Sequence, residues 1–417
     1  MQVKAPRLDT DIVTNCIEQR DIMARLNRFV TTRVNARLVF VLSIVALAVA
    51  GCATQDKKDE QIRPVWPGPP LTARIKFVRS IVSDEDVGRD TTFSDNLIEF
   101  LAGGKPPPNR IGQPTGIAVS DDGNRVYIAD NLQNAVFIFD FEKKTFGKID
   151  GIAQPVGVAL DADENLYVAA APVRMIVKYD RNGKRLGEIT DPSLERPTGI
   201  AIDREIKRLY VVDTVTSKTA EASVKVFDLN GKMTGQIRKE ANGPGGPLIF
   251  PTYITVDAKN NLYVTDTFNG RVEMFDSSGK FLRSFGQLGD AWGNFDKPKG
   301  VATDEFGNLY VVDTGWSNVQ IFNQKGQVLL FFGGRGSTPG FLGNPTSIAI
   351  DKRNRIYVGD YFNHRVEFYD LVNTTAADSN ITPPSNNPVG KPAPAKPAPA
   401  KPAPAKPGDA LTGAPAK

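Results

Sequence analysis

From residue 114 to residue 370 the apolar positions fall in runs of a few residues, separated by short polar turns. Strand-length runs bounded by Asp, Asn, Gly and Pro predict β-structure. The clearest stretch runs from Pro345 to Asp370. TSIAI, RIYVGD and HRVEFYD read as three strands. Asp351-Lys352-Arg353-Asn354 and Tyr361-Phe362-Asn363 are the turns between them. The strands are rich in β-branched and aromatic residues, which suit a pleated, half-buried surface.

The same sentence is spelled five more times upstream. Each copy opens on a proline: Pro114, Pro155, Pro197, Pro251, Pro298, Pro345. The copies are roughly 41 to 54 residues apart, the period of propeller blades or solenoid units. An apolar strand follows each proline, then a turn opening on Asp161, Asp203, Asp257, Asp304 or Asp351. The first copy slips by one, with Ser120 and then Asp121. A strand with a fixed tyrosine comes next, then a third strand such as RVEMFD or RVEFYD. In the middle copies a fourth strand follows a Gly-containing turn, as in KFLRSF.

Four antiparallel strands in six copies predict an all-β fold, a six-bladed β-propeller. The last copy has no fourth strand, only a polar, proline-rich tail. An orphan strand precedes the first copy, RIKFVRSI at Arg74–Ile81. It is expected to complete the last blade, closing the ring and removing a free edge. The propeller should span residues 74–372.

The chain resembles the NHL-repeat propellers. Asn363-His364-Arg365 sits where that family carries Asn-His-Leu, and the Gly-rich stretch Phe331–Pro345 resembles its connector between blades. The resemblance covers about Arg74 to Asp370. It implies a fold that hosts many functions.

Outside the repeats the chain changes character. Residues 1–37 carry several arginines, and Leu38–Gly51 is an apolar run too short for a comfortable membrane span. A basic region, a short apolar core and small residues read as an export signal. With Cys52 directly after Val49-Ala50-Gly51, residues 1–51 resemble a bacterial lipoprotein leader, which implies lipidation of Cys52. An ordinary signal anchor with an incidental cysteine is the alternative, and Met23 is a second candidate start. Residues 52–73 read as a polar, proline-rich tether, and 82–111 as an insertion with a short helix over Ser94–Gly103. Residues 373–417, with their Lys-Pro-Ala-Pro-Ala repeats, read as a disordered extended arm. The expected location is the bacterial cell envelope, lipid-anchored, with the periplasmic face of the outer membrane favoured over the inner membrane.

Charge narrows the partners. Residues 1–70 carry +3, residues 71–372 carry −2 and the tail +3. A near-neutral propeller lacks the basic excess that nucleic-acid binding needs. With two cysteines, one of them Cys52, a cysteine-based zinc site is excluded and no disulfide framework is expected.

In a four-stranded meander the turn between strands two and three lies on the same face as the linker to the next blade. That face should gather the binding residues: Arg174, Phe268, Arg271, Trp316, Arg335, Tyr361, Phe362, His364 and Arg365, with linker residues Trp292, Phe295 and Phe341. Aromatic and Arg clusters are what interfaces favour. The Asp closing strand two recurs in five of six copies, which suggests architecture, since it can hold its own turn. The second copy breaks the pattern with Ala170-Ala171-Pro172-Val173-Arg174, a candidate for a specific contact.

Related propellers include metal-dependent lactonases and lyases that use central His, Glu or Asn ligands. Here His364 is the sole histidine and belongs to the repeat signature, so no His-based metal site is expected. No G-x-S-x-G or phosphate loop occurs. The reading is a non-enzymatic, monomeric envelope scaffold that needs no cofactor and binds a protein, peptide or glycan. A calcium-assisted lactonase- or lyase-like enzyme, with its site at the central channel, is the alternative.

Overall fold

The computed structural model describes residues 63–89, 101, 103–214, 221–240 and 246–380. Six antiparallel sheets stand in a ring, five of four strands and one of five. Blade one is Pro114–Val119, Arg125–Asp130, Ala135–Asp140 and Thr145–Asp150, running from the ring axis outward. The burial pattern follows that order. The second and third strands are buried end to end, while the outer strand is mostly exposed. Each inner strand packs on the inner strands of both neighbouring blades and on the second strand of the blade before it, and the last blade packs on the first in the same way.

The closing strand is where the sequence placed it. Ile75–Ile81 pairs antiparallel with Arg365–Leu371 of blade six. The tether differs from expectation, because Val65–Trp66 adds a fifth strand outside Ile75–Ile81. Apolar burial explains it: Trp66 packs its ring on Phe332, Phe341 and Tyr369 at 5.8–6.1 Å. The tail also differs, for residues 373–380 turn back on the N-terminal strand. Asn373 Nδ2 donates to Ala73 O at 3.0 Å, and Arg74 pairs with Asp378 at 3.1 Å. In the insertion, Asp84–Val87 forms one 3-10 turn. Most of the helix expected over Ser94–Gly103 lies outside the described residues, as do Cys52 and the Lys-Pro repeats.

Two side-chain devices join these sheets into a ring. The first is glycine. A Cβ on Gly116 would stand 2.1 Å from Val156 O, and one on Gly157 2.3 Å from Thr198 O. Inner strands therefore approach as closely as they do because the third residue is small in five of the six, Gly116, Gly157, Gly199, Gly300 and Ser347. The second is a set of hydroxyls that donate to the opening proline carbonyl of the next blade. Thr115 reaches Pro155 O, Thr214 Pro251 O, Thr267 Pro298 O, Thr314 Pro345 O and Thr346 Pro114 O, at 2.5–2.8 Å. Blade two carries Val156 and Ala171 at those two positions, so this junction to Pro197 lacks the bond.

Candidate functional site

The propeller offers three places for chemistry: the linker face, the channel and the far face. The linker face is organised by the recurrent aspartates. Asp130 accepts from the backbone N–H of Gly112 and Gln113, Asp213 from Glu195 and Arg196, and Asp266 from Ile249 and Phe250. Asp313 accepts from Asp296 and Lys297, and Asp360 from Gly343 and Asn344. Each carboxylate thus fastens the incoming linker to its own blade. Several also hold their own turn, as Asp313 does with Gly315 and Trp316. Burial pushes the Asp213 and Asp313 carboxyls above the usual range, against the pull of those N–H donors. These carboxylates are architecture. In blade two, where Ala170 stands, Asn134 of blade one takes over and accepts from the Gln154 N–H at 3.0 Å.

The residues expected on this face divide into two groups. Arg365 and Arg271 are turned inward. Arg365 pairs with buried Glu367 at 2.7 Å and donates to the carbonyls of Ser337, Thr338 and Phe341. Arg271 pairs with Glu273, which also holds Lys239 and Ser284. Arg365 clamps its linker to the third strand directly, and in blade four Lys239 does so through Glu273; neither buried glutamate was weighed from the sequence. Phe295 is likewise core, fully buried against Phe322. His364 adopts a left-handed turn conformation, φ 55°, with Nδ1 against the carbonyl of Gly112. It ties blade six to the linker entering blade one. Arg335 donates to Gly315 O at 3.1 Å and is exposed.

The other group is exposed and apolar. Phe268 stacks on Phe250 at 4.3 Å, Trp292 meets Phe331 edge-on at 4.9 Å, and Tyr361 lies 5.7 Å from Phe362. Phe268, Trp292, Trp316 and Phe362 are each 43–63% exposed. Among the described residues, eight of the fourteen exposed large apolar side chains sit on this face, against Ile206 alone on the far face. Arg174, at φ 54°, projects from the unlocked blade-two turn and has no polar partner among the described residues.

The channel is crossed by a side chain that sequence reasoning missed. Where most inner strands carry glycine at the third position, blade four carries Tyr253. Its hydroxyl donates to Thr115 O of the opposite blade at 2.6 Å. Burial raises its phenol far above the ordinary value. Lys299, on the linker-face side of blade five, is half-buried with no ion-pair or hydrogen-bond partner among the described residues. Burial, with Lys297 nearby, lowers its ammonium from the ordinary value. The signal for Tyr253 was present in the repeat, as the departure of TYITV from TGIAI.

Below Tyr253 the channel widens into a cavity of about 430 Å³ that opens on the far face. Its walls are the lower ends of all six inner strands. Its mouth is the ring of first turns, with seven carboxylate residues against two cations, Arg204 and Lys352. Four of the turn aspartates are satisfied: Asp161, Asp257, Asp304 and Asp351 each accept from backbone N–H groups and from a tyrosine hydroxyl six residues on.

The comparisons agree with the fold. The profile of a family described as SMP-30/Gluconolactonase/LRE-like region matches residues 105–215, which are blades one and two and part of blade three. The Protein SUPPRESSOR OF QUENCHING 1, chloroplastic, of Arabidopsis thaliana is 27% identical over 180 residues, 34% of this chain and 16% of that protein. The chain thus spans about a sixth of that curated relative's length. A structural-genomics protein of unknown function from Bacteroides thetaiotaomicron superposes with TM-score 0.52 at 16% identity, covering 71% of this chain and 75% of that one. A gluconolactonase from Xanthomonas campestris gives 0.51 at 17%, covering 71% and 98%. A virginiamycin B lyase from Staphylococcus aureus gives 0.46 at 17%, covering 65% and 88%.

Proposed function

We propose that this propeller is a docking platform of the bacterial cell envelope, which holds an apolar segment of a partner polypeptide on its linker face. The observation that carries it is the one-sided distribution of exposed aromatic and aliphatic side chains. Exposed apolar side chains gathered on one face suit an interaction site, and buried aromatic anchors carry most of the energy when such sites are filled. Arg174 and Arg196, exposed on the same face, suit carboxylates flanking that segment. On this reading the acyl chain on Cys52 holds the domain at the membrane. The Lys-Pro arm extends its reach.

A second reading is favoured by one observation, the family match over residues 105–215 together with a gluconolactonase among the fold neighbours. It is a lactonase- or lyase-like enzyme with its site in the channel, assisted by calcium or another divalent cation. The donors here do not fit such a cation. Among the described residues no three His, Cys, Asp or Glu side chains stand close enough together to share one. The linker-face half of the channel presents Lys299, Tyr253 and threonines already bonded to neighbouring carbonyls. No step is therefore assigned to a metal.

One experiment separates the two. The full chain, and a variant with Phe268, Trp292, Trp316 and Phe362 all changed to Ser, are assayed for lactone hydrolysis with added calcium. The same pair is tested for co-purification of a defined partner from envelope membranes after crosslinking. The docking reading expects a partner retained by the full chain and lost by the variant, with no turnover by either. Calcium-dependent turnover by both proteins, with no partner lost, would overturn it.

A further inference from the structure

The inner strands all start at the linker face, so the residue before each opening proline stands on a ring around that mouth of the channel. These residues are Gln113, Gln154, Arg196, Phe250, Lys297 and Asn344. Five of the six are fixed there by their carbonyls, which accept at 3.0–3.1 Å from the N–H of Asn131, Thr214, Thr267, Thr314 and Tyr361. The ring thus carries two cations, three amides and one aromatic face, with no carboxylate. The recurrent aspartates lie behind it, fully buried and occupied by linker N–H groups. Two acidic residues, Glu195 and Asp296, flank the ring one position further out on the linkers, and Asp296 stands 3.9 Å from Lys297.

Within this ring blade five breaks the repeat. The position after the opening proline is threonine in four blades: Thr115, Thr198, Thr252 and Thr346. There the hydroxyl seals a junction. Thr115 and Thr346 reach the next blade's proline carbonyl, while Thr198 and Thr252 bond Thr214 and Thr267, which reach it in their place. In blade five Thr314 alone reaches Pro345 O, and the position holds Lys299.

The Lys299 ammonium is half-buried, yet no anion or acceptor meets it among the described residues. Withdrawing a cation from water without a counter-ion is costly, so such a group calls for an anion. Burial and the nearby Lys297 lower its pKa from the ordinary value, as suits an ammonium whose counter-ion is missing. One position further along the inner strand of blade four, Tyr253 crosses the channel to Thr115 O and gives the mouth a floor. Phe250, on the rim, is half-buried and stacked on Phe268.

We propose that the linker-face mouth of the channel is a carboxylate pocket, in which Lys299 holds the anion, Arg196 and Lys297 draw it in from the rim, and Phe250 takes an apolar body beside it. The source of the carboxylate rests on the docking reading: the docked segment supplies it, from a side chain or from its C-terminus. The pocket itself belongs to the propeller and is testable without the partner.

The test is calorimetric titration of the full chain with four probes. N-acetylphenylalanine offers a C-terminal carboxylate, N-acetylglutamylphenylalaninamide a side-chain carboxylate, N-acetylphenylalaninamide neither, and inorganic phosphate a bare anion. The same titrations are run on Lys299→Met and on Lys299→Thr, which restores the residue of four other blades. The expected result is binding of carboxylate probes alone, the tighter of the two naming the source. Both variants should weaken it at least tenfold, with melting unchanged or raised. Equal binding of the amide, phosphate bound as tightly as the carboxylates, no carboxylate binding at millimolar concentration, or no effect of either Lys299 variant would each overturn the proposal. The docking reading fails in the co-purification experiment and the pocket fails in these titrations, so the two failures are told apart.

Discussion

At the scale of single residues, the recurrent aspartates decide how the linker face is held. Asp313 receives four backbone N–H groups, from Asp296, Lys297, Gly315 and Trp316. Asp313→Asn turns one acceptor into a donor facing an N–H, and should cost about 1–3 kcal/mol, read as a lower denaturation midpoint. The pH dependence of that cost has a definite sign. Burial raises the folded carboxyl above its unfolded value of about 3.9. Such a group contributes most stability below the unfolded value and loses it as pH rises through the raised folded value. The difference between wild type and variant should therefore be largest in acid, shrink across that window and then stay flat. Denaturation of both proteins at stepped pH measures it. The recurrence of these aspartates was plain in the sequence, but their partners were not, since each lies 16–18 residues upstream on another segment. Arg365 shows the same limit. As a type it suits an interface, yet its burial depends on Glu367 two residues on and on a linker some 24–28 residues upstream.

At the scale of strands and blades, the ring is sealed by threonine hydroxyls at five of six junctions. Thr267→Val should lose one buried bond and about 0.5–1.5 kcal/mol, with faster hydrogen exchange in the strand opening at Pro298. The blade two to blade three junction lacks that bond, so its inner strands should exchange fastest. Ala171→Thr places a hydroxyl where Thr214, Thr267 and Thr314 stand in other blades, and should slow exchange at Pro197–Asp203 specifically. Exchange rates unchanged at that strand would contradict the assignment. The departure of this blade was legible from Ala170 and Ala171. What it meant was not, because the acceptor is a neighbouring blade's backbone. Likewise TYITV announced that blade four differs, but that Tyr253 spans the channel to Thr115 follows only from ring closure.

At the scale of the whole molecule, the count of blades, the strand order and the closing strand were all readable, because a repeat carries its pattern many times over. The edges of the domain were not. Val65–Trp66 is too short to show a period, and it joins the sheet because Trp66 has an aromatic pocket to fill. Trp66→Ala should cost about 2–4 kcal/mol, at or below the range for a buried aromatic because Trp66 is only half-buried. It should also loosen the closing strand, read as faster exchange at Ile75–Ile81. The far-face cavity escaped sequence reading for a related reason. Its wall uses one stretch from each of six blades, and at its mouth Arg204 of blade three reaches Asp121 of blade one.

The claim on which the rest depends is that the linker face, rather than the channel, meets the partner. A photo-reactive phenylalanine placed at Trp316 in intact cells tests it most directly, with a second at Leu282 on an outer strand as the control. The account predicts one defined adduct from position 316, lost when Phe268 and Phe362 are changed to Ser, and none from position 282. Equal, diffuse labelling from both positions, or no adduct from 316, would contradict it.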